Sequence, residues 1–128
     1  RIFADELALA PRLVPGGETA IGDAITFALA QYDDLGFVAA RRVIDVSGDG
    51  SSNRGRRVDD ARDDAMRRDV VINGLAILNE EPELEEFYRR FVIGGVGAFV
   101  LTAHDYSDFA DAILRKLLRE VQLVAEAR

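Results

Sequence analysis

Cysteine is absent, so the chain has neither a disulfide framework nor thiolate chemistry, and cysteine usage leaves its compartment open. Histidine occurs once, at His104, which excludes zinc sites built from several imidazoles. Positive charge is in deficit: 16 Lys and Arg face 23 Asp and Glu, a formal net charge of −7. A nucleic-acid binder needs a basic face, so that class is set aside, while the acidic balance leaves room for a bound cation or a cationic partner. No apolar run approaches the length of a membrane span, and no signal-like segment is recognised in a sequence that opens on Arg1. What is present is a globular composition, 48% hydrophobic and 30% charged, in 128 residues, enough for one domain with a core.

Hydrophobic spacing gives the organisation. Residues 2 to 9 read as the end of a helix, after which Pro11, Pro15, Gly16 and Gly17 enforce a loop. From Ala20 the positions Ile21, Ile25, Ala28, Leu29 and Tyr32 recur at helical spacing, predicting a helix to about Asp33 with Gly36 as its stop. A β-branched strand is expected over about Arg42 to Val46, followed by a Gly/Ser/Asn loop and a helix over about Val58 to Arg68. Residues 70 to 77 are apolar on both faces, as in a buried parallel strand. Asn73-Gly74 is also a strong hairpin signal, but its flanks are too short for a useful hairpin. One strand is therefore read, with Gly74 where another group comes close. A short helix over Glu83 to Phe91 and a third strand over Ala98 to Leu101 follow. Ser107 then reads as the N-cap of a long helix whose apolar stripe is Phe109, Ile113, Leu117, Val121 and Val124. Strands alternating with helices predict an α/β layered fold with a parallel sheet. Three strands are few for five helices, and an opening in mid-helix suggests that an N-terminal part is missing.

In an open parallel sheet, ligands bind beyond the carboxyl ends of the strands. The loops meeting there are expected at residues 47–57, 78–82 and 102–106, joined by the Gly16-Gly17-Glu18-Thr19 loop ahead of the first long helix. Thr19 suits a hydroxyl ligand as well as a helix cap. Asp45 lies within the strand, so its carboxylate needs a partner, such as loop amides or an arginine. Asp49, between Gly48 and Gly50, comes after the strand and is the better ligand for a hard cation. Oxygen donors of this kind suit magnesium, manganese or calcium.

Competing motifs fail on spacing. A calcium-binding EF-hand loop started at Asp45 would place Arg56 where a bidentate glutamate is required. The Gly-Lys-Ser/Thr ending of a phosphate-binding loop is absent. Serine hydrolysis would need Ser47, Ser51 or Ser52 beside His104, without a nucleophile-elbow pattern; His104 reads instead as a surface loop residue. Turn chemistry alone is the bland reading of residues 49–53.

The runs "GGETAIGDAI" and "RRVIDVSGDGSSNRG" resemble the von Willebrand factor A domain and its metal-ion-dependent adhesion site. More closely, "VIDVSGDG", "INGLAI", "FVIGGVGAFV" and "FADAILRKLLRE" resemble a bacterial von Willebrand A-like family, domain of unknown function 1194. The resemblance covers nearly the whole chain. It implies a Rossmann-like three-layer fold with strand order 3-2-1-4-5-6, of which this chain would hold strands four to six as a single partial domain over residues 1–128. It implies Thr19 and Asp49 as metal ligands, with Ser47, Gly48, Gly50 and Asn53 as the supporting loop, and an exported or periplasmic setting. The family site's leading segment, Asp-x-Ser-x-Ser, has no counterpart before Thr19, so cation affinity is expected to be weak.

The corresponding function is a binding module in which a divalent cation completes its coordination with a partner protein's carboxylate. The alternatives are a metal-dependent hydrolase using Asp45 or Asp49, with Arg54, Arg56 and Arg57 holding an anion, and a purely structural assembly domain. If only strands four to six are present, the edge of the strand at Arg42–Val46 is bare, and dimerisation or another association through it is expected.

Overall fold

The computed structural model describes residues 6–9, 20–33, 42–51 and 55–126. Among the described residues, four parallel strands form one open sheet in the order β1-β2-β3-β4, namely β1 (Glu6–Leu9), β2 (Arg42–Gly48), β3 (Val70–Ile77) and β4 (Val100–Ala103). The helices between and after them are α1 (Ile21–Asp33), α2 (Val58–Arg67), a short α3 (Leu84–Phe87) and α4 (Phe109–Glu126). A π-helical turn at Tyr88–Val92 continues α3, and a 3-10 turn at Tyr106–Asp108 precedes α4. This is the expected α/β Rossmann-like arrangement.

Alternation along the strands divides the core into two layers. Ile44 and Val46 of β2 and Val70, Ile72 and Ala76 of β3 pack with α1, α2, Leu84, Tyr88 and Val92. Leu75 and Ile77 of β3 join Ala103 and Ala112 on the face covered by α4. All eight residues of β3 are buried, which is why its sequence carries no polar alternation. Asn73-Gly74 runs through the strand without a hairpin. A Cβ on Gly74 would collide with Tyr88 Cδ2, so the glycine is the opening through which the tyrosine ring reaches the sheet.

Several expectations are corrected. The helix read over residues 2 to 9 is a strand at Glu6–Leu9, paired in parallel from Glu6↔Arg42 to Leu9↔Asp45. Pairing satisfies backbone groups along β2, and that tertiary gain outweighs the local helical pattern. The edge of β2 is consequently covered by β1 from Arg42 to Asp45, so the bare edge expected there for association with another chain is not found. The third strand starts at Val100 instead of Ala98. Phe99 N–H is taken by the Asn73 side-chain oxygen at 3.0 Å and Phe99 C=O accepts from Gly74 N–H at 2.9 Å, so the regular ladder begins one residue later.

Ser107 lies inside the 3-10 turn, and Asp105 is the capping residue. Its Oδ1 accepts from Ser107 N–H at 2.9 Å and from Asp108 N–H at 3.3 Å, while Asp108 Oδ2 accepts from His104 N–H at 3.2 Å. The Ser107 hydroxyl and these amides hold the Asp105 carboxyl below its ordinary range. The stripe predicted for α4 is rotated: Phe109 and Ile113 pack on the core, but Leu117 and Val121 are exposed, with Leu114 and Leu118 beside them. In their place α4 buries Ala112, Lys116 and Glu120.

Candidate functional site

The carboxyl ends of β2 and β3 form the rim. Ser47 and Gly48 belong to β2, two residues more than the predicted strand, so Asp49 is the first residue of the turn. Ser47 is exposed, and Gly48, Asp49 and Gly50 are half-buried. Thr19 and Asn53 lie outside the described residues, as does Arg54.

Two contacts organise this rim. Ser51 donates through both its N–H, at 3.0 Å, and its hydroxyl, at 3.3 Å, to Glu81 Oε1 from the loop after β3. On the other side, the first turn of α1 is locked onto residues 55–57. Asp23 Oδ1 accepts from Arg56 N–H at 2.9 Å, and a Cβ on Gly22 would collide with the Arg56 carbonyl oxygen. The helix that follows Thr19 therefore starts against the loop that follows Asp49. From there α1 runs back to the opposite end of β2, where the Tyr32 hydroxyl accepts from Val43 N–H at 3.0 Å and donates to Val43 C=O at 2.6 Å.

A match to a family of proteins of unknown function, DUF1194, spans residues 1–125. The chain belongs to the DUF1194 family. Neither a curated protein nor a solved structure matches it.

Available donors at this DUF1194 rim are oxygens: the Asp49 and Glu81 carboxylates, the Ser47 and Ser51 hydroxyls, and the phenol of Tyr88 beneath. Among the described residues there is no group of three or more His, Cys, Asp or Glu side chains that could hold a metal ion. An ion accepted here would be a hard cation bound by few carboxylates, with hydroxyls and water completing its shell. The two loop arginines among the described residues, Arg56 and Arg57, have acidic partners. Arg56 Nη1 donates to Thr26 Oγ1 at 2.9 Å and faces Asp64 at 3.6 Å, and Arg57 makes two bonds to Asp59, at 3.1 Å and 2.8 Å. His104 is exposed, as expected of a surface loop residue.

Asp45 is separate from this rim. It points to the α4 face, where Lys116 Nζ pairs with its Oδ1 although neither Asp45 oxygen accepts a well-formed hydrogen bond. Lys116 Nζ also donates to Glu120 Oε2 at 3.3 Å, and Asn73 Nδ2 donates to the same oxygen at 2.9 Å. Burial, and then the neighbouring Glu120 carboxyl, raise Asp45 from 3.8 to about 7 against the lowering effect of Lys116. The partner expected from a loop amide or an arginine is thus a lysine on the last helix. Glu81, Tyr88 and Lys116 were not distinguished in the sequence. Asp23 had a signal, its place in the Thr19-Ala20-Ile21-Gly22-Asp23 run.

Proposed function

We propose that this DUF1194 member is a von Willebrand A-like binding module that presents a divalent cation, magnesium or manganese in the first instance, at the Asp49 rim. The observation carrying this reading is the junction between the start of α1 and residues 55–57, which brings the segment after Thr19 against the loop after Asp49. Asp49 acts as the anionic ligand and Thr19 as a hydroxyl ligand, while Ser47, Asn53 and the Ser51–Glu81 contact hold the loop in shape. A bound cation supplies an open coordination position that a partner protein's carboxylate fills. With Asp49 the one carboxylate among these ligands, weak affinity for the ion alone is expected.

The pairing of Arg56 and Arg57 with acidic side chains favours binding over hydrolysis, because neither guanidinium is left to hold a substrate anion. Calorimetric titration with manganese tests the proposal. Asp49→Ala is expected to weaken binding at least tenfold, and equal binding by the variant and the parent protein would overturn the assignment.

A further inference from the structure

Tyr88 is fully buried, yet its hydroxyl has no hydrogen-bond partner among the described residues. A buried hydroxyl without a partner is costly, and a phenylalanine would fill the same space without that cost. The tyrosine is nevertheless held firmly. Gly74 opens the sheet to its ring, Phe87 packs edge-on with ring centroids 6.4 Å apart, and the π-helical turn begins at Tyr88 itself. Such turns are frequent at functional sites.

The hydroxyl is aimed at the rim. Its oxygen lies 3.2 Å from where a Cβ on Gly48 would stand, immediately before Asp49.

We propose that Tyr88 is a positioning residue of the cation site, its hydroxyl donating to an oxygen of the coordination shell at Asp49, either the carboxylate itself or a water bound with the ion. This rests on the reading of Asp49 as a metal ligand. The orphaned hydroxyl then acquires its partner when the ion binds, and the turn at Gly48 is fixed from beneath. A hydrogen bond to a charged group of this kind corresponds to roughly a tenfold change in affinity.

The test is Tyr88→Phe, which keeps the ring and removes only the hydroxyl. Manganese titrations of the parent protein, Tyr88→Phe and Asp49→Ala are combined with thermal unfolding in chelator. The expected result is roughly tenfold weaker manganese binding by Tyr88→Phe, with a metal-free melting temperature equal to or above that of the parent. If Tyr88→Phe binds like the parent while Asp49→Ala does not, the Tyr88 inference alone is overturned. If all three titrate alike, the Asp49 reading falls and takes this one with it. A metal-free melting temperature that drops along with affinity would mark Tyr88 as a packing residue and also overturn the inference.

Discussion

Asp45 and Asp49 leave the same strand and meet opposite fates. Asp45 is 4% exposed on the α4 side of the sheet, closed in by Lys116, Glu120 and Asn73. Asp49 is half-buried in the turn beyond β2, with Tyr88 below it and the Ser51–Glu81 contact beside it. The first carboxyl group is closed into the interior, where burial disfavours its charged form even with Lys116 beside it. The second stands at the rim, where the loops after β2 and β3 meet. Two aspartates in one short motif are therefore separated by environment, not by residue type.

Four predictions sharpen this contrast. Lys116→Met should have the largest effect, because it strands two carboxyl groups in the interior. A loss of about 3–5 kcal/mol is expected in urea or guanidinium unfolding. Asp49→Ala should cost under about 1 kcal/mol in the same assay. Comparable losses for the two would show that Asp49 is structural.

Gly74→Ala comes next, since its methyl group enters the Tyr88 ring. A cost of about 1–3 kcal/mol is expected. Combining it with Tyr88→Leu should give less than the sum of the two single losses, because the variants share one contact.

Asp45 sets a pH dependence. Its folded-state pKa is raised from 3.8 to about 7, so the folded protein binds the proton more tightly than the unfolded chain. The stability it contributes is fully present below the unfolded value and is lost as pH rises through the folded one. The denaturation midpoint of the parent should fall between about pH 4 and about pH 7, and Asp45→Asn should flatten that slope. A parent slope that the substitution leaves unaltered would show that Asp45 does not titrate in this range.

The smallest effect belongs to Glu81→Ala. Global stability should change by less than about 0.5 kcal/mol. The Ser51 amide, losing its acceptor, should exchange with deuterium faster than in the parent. Unchanged exchange at Ser51 would mean that the Glu81 contact does not hold the rim loop.

Much of the central fold was legible. The run from Arg42 to Ile77 showed two strands and the helix between them because parallel strands covered on both faces read as continuous apolar stretches, while α2 carries its acidic residues first and its basic residue last. Gly74 was legible as a point of close approach, though nothing identified Tyr88 as the group approaching it. Asp49 as a rim residue followed from the glycines on either side. By contrast, β1 was hidden behind a helical pattern. The buried face of α4 was misread because the apolar positions at Leu117 and Val121 outscored Lys116 and Glu120 on hydrophobicity alone.

The order of chemistry along the chain thus determined an α/β protein with a polar turn after the strand at Arg42–Val46, and a composition without cysteine and with a single histidine leaves these residues no thiolate or multi-histidine chemistry. Tertiary structure decided which way α4 rolls, because Asp45 and Asn73 on the sheet require polar partners and Lys116 and Glu120 supply them. It also decided that Tyr88 ends beneath Gly48. Neither fact is periodic or local: each depends on side chains distant in sequence meeting across a layer, where burial makes an unmatched polar group costly.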